Sequence, residues 1–398
     1  MSTPSIDKVR DIVDRLPTTR DEDWKYTDLA KARDISAQWL DAGAQPPSPA
    51  LADEIAGITG EIDATWFVIE NGRLVDAPDV DGVSVLGKDA AALADGALAE
   101  LNASLRIDEL CLRLDGEFER PFGILFIDGT HDDATVSQGH VAIEFAANSA
   151  ASVIEYHASR GEADHYSNSF VTFKLGDSAA VSHVRIQDRA LHHLQTGRTT
   201  VTADRNARFT SACFDLGGGL IRNDLVIDIA GPGADVSFDG LYLAGDGQHI
   251  DNHTRVDHRV GPATSRQEYR GILNGHCRCV WNGKAIVHEG ADGTDADQAN
   301  HNLLLSTRAE IDAKPELEIY TDDVKCSHGT TVGQLDETAL FYLRTRGLDK
   351  QQAKQVLTHA FAAGLVSRVP VDAAKETILQ LMRARLGELI QFDEELIG

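Results

Sequence analysis

Between residues 141 and 243 apolar and polar residues alternate, one after the other. The segments VAIEF (141–145), SVIEYHA (152–158), FVTFKL (170–175), VSHVRIQ (181–187), TTVTA (199–203), LVIDIA (225–230) and VSFDGLYL (236–243) share this pattern. Successive side chains on a strand point to opposite faces, so each segment predicts a strand with one buried face. The alternation dominates from about residue 120 to about 325. Before it, Ile6, Val9, Ile12, Val13 and Leu16 recur at helical spacing, and Pro17 stops the run. ATWFVIENGRLVD (64–76) predicts a hairpin that turns at Asn71-Gly72. AGAQPPSPA (42–50) reads as a linker, and 88–114 as helical in part. After residue 335 the helical pattern returns. DETALFYLRTRGL stops at Gly347, Asp349 caps a helix that ends at Gly364, and Asp372 caps a third after Val369-Pro370.

The strands carry a repeat. Ala, any residue, then Val, Phe or Ser recurs at Ala151, Ala179, Ala207, Ala234 and Ala263, with spacings of 28, 28, 27 and 29 residues. Turn formers precede each copy, among them Asn148, Asn206 and Gly261-Pro262. Two strands per period of about 28 residues is the signature of one coil of a β-solenoid. A β-sandwich is the rival, but its strands do not repeat one motif at one phase. The expected fold is mainly β: a parallel β-helix over 116–332, an N-terminal helical or mixed region over 1–115 and a C-terminal helical region over 333–398. An open solenoid end has unpaired strand edges. The helical tail is expected to cap that end, to dock a partner, or both.

Charge narrows the partners. Lys and Arg number 37 against 63 Asp and Glu, a net charge of −26. Such a surface repels nucleic acid and anionic membranes. No apolar run approaches the roughly 18 residues of a membrane span. The N-terminus lacks a basic start followed by an apolar core, so the expected location is cytoplasmic. The five cysteines, Cys111, Cys213, Cys277, Cys279 and Cys326, form no CxxC pair and are expected to be reduced thiols.

Catalytic templates fail in turn. There is no GxSxG elbow and no phosphate loop, and Gly217-Gly218-Gly219 reads as a turn. His192-His193 are expected to face opposite sides of a strand, and His249, His253 and His258 have no helix to gather them round a metal. A β-helix enzyme acting on acidic polysaccharide is the alternative function, with Arg255, Arg259, Arg266 and Arg270 as its candidate groove. The stretch PELEIYTDDVKCSHGTTVGQL (315–335) differs. On an extended chain Cys326 and His328 share a face. A thiol beside an imidazole can hold a soft or borderline metal, or the imidazole can favour the thiolate. Spacing alone favours a buried Cys acting as a small apolar residue, with a structural His beside it.

DDVKCSHGTTVGQLDETALFYLRTRGL resembles the hallmark segment of the SufD branch of the SufB/SufD family, scaffold subunits of the SUF iron–sulfur cluster assembly system. The likeness runs upstream through SRQEYRGILNG (265–275), VWNGKAIVHEGADGTDADQANHNLLLS (280–306) and AEIDAKPELEIY (309–320). EDWKYTDL near the N-terminus resembles the family's Trp-Lys-Tyr signature. The resemblance implies a right-handed parallel β-helix between helical regions and a non-enzymatic role. It implies pairing with the paralogue SufB through the β-helices, and docking of the ATPase SufC on the C-terminal helices. For that docking the candidates are Phe341, Tyr342, Arg344, Arg346 and Gly347. It implies that His328, with Cys326, is a cluster or metal ligand at the subunit interface. The cluster would be transient in the complex, ATP would sit on the partner, and the isolated chain would hold no stable cofactor. A homodimer is expected where the partners are absent. SufB usually carries Glu-His-Glu where this chain has Cys-Ser-His-Gly, which favours the SufD branch.

Overall fold

The computed structural model describes residues 5–44, 51–86, 96–129 and 133–395. The putting-together of the chain starts with four helices, α1 (Ile6–Asp14), α2 (Ala30–Asp41), α3 (Ala52–Glu61) and α4 (Ala97–Leu105). Among them lie β1 (Thr65–Glu70), β2 (Arg73–Asp76) and β3 (Val83–Val85), followed by β4 (Leu110–Leu114) and β5 (Phe122–Gly129). Then come β6 (Thr135–Phe145), β7 (Ala150–Arg160), β8 (His165–Leu175), β9 (Ala180–Asp188), β10 (Leu194–Ala203), β11 (Arg208–Asp215) and β12 (Leu220–Ile229). The last strands are β13 (Asp235–Ala244), β14 (His249–His258), β15 (Thr264–Leu273), β16 (Arg278–Val287), β17 (Thr294–Leu304), β18 (Glu310–Ile319) and β19 (Val324–Gly333). Three helices close the chain: α5 (Glu337–Thr345), α6 (Lys350–Val366) and α7 (Lys375–Glu395).

From β4 onward the strands fall alternately into two sheets. One has the order β19-β17-β15-β13-β11-β9-β7-β5-β1-β2, the other β18-β16-β14-β12-β10-β8-β6-β4-β3. Pairing is parallel throughout, except where β2 and β3 add antiparallel to β1 and β4. Each coil therefore gives one strand to each sheet, which is a β-solenoid with helices at both ends of the chain. The hairpin turn is where the sequence places it, with Asn71 at φ 50° and Gly72 at φ 76°, as a two-residue turn matched to strand twist requires. The repeat is in register over four copies: Ala180 pairs with Arg208, Arg208 with Asp235 and Asp235 with Thr264. The first copy is not. Ala151 pairs with Val181, so the true counterpart of Ala179 is Ser149 and the first interval is two residues longer than the motif indicates.

Three packing regions hold the molecule. Between the sheets lies a core that includes Phe67, Phe122, Phe145, Phe173, Phe209, Phe238 and Trp281. On the outer face of the β5–β17 sheet, Leu125, Ile154, Val184, Phe214, Leu241 and Ile272 pack against α3, α6 and α7 through Ile58, Leu365, Ile378 and Met382. On the other sheet's outer face, Val136, Tyr166 and Leu194 meet α1, α2 and α4 through Ile12, Ile35 and Leu101. The C-terminal helices thus lie along a sheet face. They do not seal the solenoid's end, because most of β19 and much of β18 remain exposed or half-exposed.

Of the two expected caps Asp349 forms and Asp372 does not: Val371 holds the N-cap position there, with no side-chain cap. Asp336 accepts from the Thr338 N–H and Asp349 forms a capping box with Gln352. The second of these helices runs through Gly364 to Val366, because its last turn is buried against the sheet. The Asp372 segment opens as a 3₁₀ turn over Asp372–Ala374 before α7 begins. Most of the stretch read as a linker, 45–50, lies outside the described residues, as do 88–95.

Candidate functional site

Two neighbouring features of β19 define the open end. β19 bonds only to β17, and β18 only to β16, so each presents a free edge among the described residues. Along β17 the side chains of Ala296, Gln298 and Asn300 point into the solenoid and are at most 2% exposed. Their register partners on β19 are Cys326, His328 and Thr330. Cys326 and His328 therefore share the face that looks into the solenoid, yet no further coil covers them. Cys326 is half-buried and His328 is exposed, so the reading of a buried structural pair does not hold. Partial burial pushes the Cys326 thiol above its usual range, with only the backbone hydrogen bond at Ala296 opposing it. Without a partner this thiol is held protonated and is a weak nucleophile. Ser327 points the other way, where its hydroxyl donates to Asp297 on the outer face.

Below the open end the solenoid is floored by polar side chains. The Thr330 hydroxyl donates to Asn300 Oδ1 at 3.3 Å, and Asn302 Nδ2 donates to the same oxygen at 2.6 Å. Tyr242 OH donates to Asn302 Oδ1 at 2.5 Å and accepts from Asn300 Nδ2 at 3.2 Å. Deeper still lies a charged cluster that the sequence reading did not single out. Glu155 meets His157 Nε2 at 2.5 Å and His183 Nε2 at 3.3 Å. Arg185 bonds Asp215 at 2.9 Å, and Arg189 bonds Asp128 at 2.7 Å. Burial raises the Glu155 carboxyl, but the hydrogen bonds from His157 and His183 outweigh it and hold the group well below the carboxylate range. Glu155, His157, His183 and Arg185 sit at the polar positions of SVIEYHA and VSHVRIQ, the signal that could have flagged them; Asp128, Arg189 and Asp215 lie outside both segments.

The other candidates are placed as follows. On α5, Phe341 and Tyr342 are 68% and 56% exposed, and Leu340 is the helix's buried residue. Arg346 lies over the Tyr342 ring at 5.1 Å and also donates to its hydroxyl at 3.2 Å. Gly347 ends the helix at φ 96°. Arg344 is exposed on the same helix. These five share one short segment, separate in the chain from the Cys326–His328 face. His192 and His193 do not straddle a strand as expected. They occupy the turn before β10, with rings 4.3 Å apart. His249 and His253 lie on the outer face of β14, and no group of three or more metal-ligating side chains occurs among the described residues. The proposed basic groove is not assembled: Arg255 pairs with Asp257 on one sheet, while Arg266 pairs with Asp295 and Arg270 with Glu268 on the other. Arg259 is engaged by Asp228.

The Trp-Lys-Tyr stretch is a strap. Arg222 lies over the Trp24 ring at 4.4 Å and Arg278 over the Tyr26 ring at 5.3 Å. The Thr27 hydroxyl is 2.8 Å from His249 Nε2 and donates to Asp251, which in turn accepts from Arg222 at 2.6 Å. The N-terminal segment is thereby tied to β12, β14 and β16.

With this geometry in place, comparison with known proteins gives one answer. A family model described as SUF system FeS cluster assembly, SufBD core domain, matches residues 126–361. The Escherichia coli iron–sulfur cluster assembly protein SufD is 31% identical over 94% of this chain and 89% of its own length. SufD of Bacillus subtilis is 25% identical over 68% of this chain and 62% of its own length. The SufBD family protein slr0076 of Synechocystis is 26% identical over 93% and 88%. No helix among the described residues is long and apolar enough to cross a membrane. The match to more than half of the chain, joined to a full-length relative of this identity, shows that the chain belongs to the SufB/SufD family of iron–sulfur cluster assembly proteins.

Proposed function

We propose that this chain is a non-enzymatic scaffold that pairs with a SufB-type paralogue through the open end of its solenoid and binds a SufC-type ATPase on its C-terminal helices. The observation that carries the reading is the uncovered last coil. Cys326 and His328 face the solenoid interior at the last coil, which no further coil covers among the described residues, so a docked subunit would enclose them. His328 then supplies an imidazole, and Cys326 a thiol, to a cluster assembled from ligands of both subunits. A cluster normally takes several thiolates. One thiol here makes half a site, which fits cargo that passes through the complex better than cargo held by the isolated chain. The free edges of β18 and β19 also suit pairing between two copies when the paralogue is absent.

The test uses the co-expressed three-subunit complex. His328→Ala is expected to leave the fold and subunit ratio unchanged while iron and sulfide content fall several-fold. Unchanged cluster yield sinks the ligand assignment. A chain that never co-purifies with either subunit sinks the scaffold reading.

A further inference from the structure

Beneath the helix α5, which packs against α6, lies a crevice of about 340 Å³. Leu304, Leu335, Leu340 and Ile390 are among its apolar walls, drawn from β17, the segment after β19, α5 and α7. Among the described residues its charged lining is Arg344, Lys350 and Lys354 with one carboxylate, Glu337, and Lys354 is already engaged. This is unusual in a chain whose net charge is −26. The rim carries Phe341, 68% exposed, with Tyr342 beside it on the helix, 56% exposed. Exposed aromatic side chains beside a pocket and arginine are the chemistry of an interface centre, not of a solvated surface.

We infer that this crevice receives one anchor of the docking partner: a large apolar side chain flanked by carboxylates. The inference rests on the proposal that the C-terminal helices bind an ATPase subunit, and it specifies what that subunit must present. The volume lies at the low end of ligand pockets, enough for one aromatic or leucine-sized side chain with a stretch of its backbone. Arg344 and Lys350 are both exposed at the mouth, so carboxylates on either side of the anchor reach them without burying an unpaired charge. Phe341 and Tyr342 then pack on the partner's surface around the anchor and exclude water. The positive mouth also steers an acidic segment toward a chain that is otherwise strongly acidic.

The experiment is a calorimetric titration of the full-length chain with the purified SufC-type ATPase subunit, in low and high salt. The double variant Arg344→Glu, Lys350→Glu is expected to weaken binding at least tenfold and to flatten the salt dependence. Leu335→Trp, which fills the crevice, is expected to weaken it similarly with unchanged circular dichroism. Phe341→Ala with Tyr342→Ala tests the docking surface itself. If the aromatic pair matters and the crevice variants bind like wild type, the anchor inference is overturned and the docking reading stands. If none of the variants changes affinity, the docking reading falls too. Crevice variants that spare the ATPase but abolish pairing with the paralogue, or self-association, would assign the crevice to another partner and overturn the inference.

Discussion

The two ends of the solenoid are built on opposite principles. At the first coil each sheet is finished by an antiparallel strand, β2 on one and β3 on the other. The interior there is filled by Phe67, Phe122, Ile124 and Leu112, all at most 2% exposed. At the last coil neither sheet is finished. Ile319 and Val332 are 42% and 55% exposed, and the inward face carries a thiol, an imidazole and a hydroxyl. A terminal coil stripped of its neighbour loses burial and leaves backbone groups unpaired, which proteins usually block. Here the free edge is short at the first end, where β2 and β3 have four and three residues, and long at the last, where β18 and β19 have ten each. The closed first coil favours stability, and the open last coil fits the proposed pairing with a partner.

The largest expected effect breaks the first end. Phe122→Ala should cost about 3–5 kcal/mol of stability by chemical denaturation, since a fully buried ring leaves a cavity. Val332→Ala at the last coil should cost well under about 1 kcal/mol in the same assay, because the side chain is already half in water. Equal losses would contradict the contrast. Next, Val332→Lys should abolish any self-association of the isolated chain, read by sedimentation, because a charge on an exposed strand blocks edge pairing. The same substitution should leave the melting temperature within a degree or two.

A third prediction concerns the helical region's seat on the sheet. Arg368 bonds Asp239 at 3.1 Å and Glu268 at 2.7 Å, while Arg270 bonds Glu268 and the Phe361 carbonyl. Burial, aided by Glu268 and opposed by Arg368 and Arg270, pushes Asp239 up to about 6. A carboxyl raised in the folded state binds more protons there than in the unfolded chain. Its contribution to stability therefore falls as pH rises from about 4 to about 6. Asp239→Asn should remove that decline, giving a flatter stability curve over this window. A curve unchanged in slope refutes the assignment. The smallest effect is Cys326→Ser, expected to shift stability by under about 0.5 kcal/mol at the exposed end while reducing cluster yield in the complex.

The solenoid was legible because its period is a property of the chain. Turn formers and the Ala179, Ala207, Ala234 and Ala263 positions recur whenever a coil closes, and they stack in register. Ala151 misled by two residues, since a small residue near a turn fits more than one position and only the ladder tells them apart. The common face of Cys326 and His328 was legible for the same reason, because residues two apart on a strand cannot face differently. Their exposure was not, since it depends on whether another coil follows in space.

The direction of the alternation was hidden altogether. In SVIEYHA and VSHVRIQ the apolar Ile154, Tyr156, Val184 and Ile186 point outward to the helices, and the polar Glu155, His157, His183 and Arg185 point into the solenoid. Period two states that a strand has two unlike faces, and nothing within the strand says which is inside. Strand content, coil length, the Asp349 cap and the Cys326–His328 pair were properties of local sequence and its periodicity. The covered outer faces of both sheets, the polar interior and the bare last coil arose only when distant helices chose which surface to cover, because burial is set by neighbours in space.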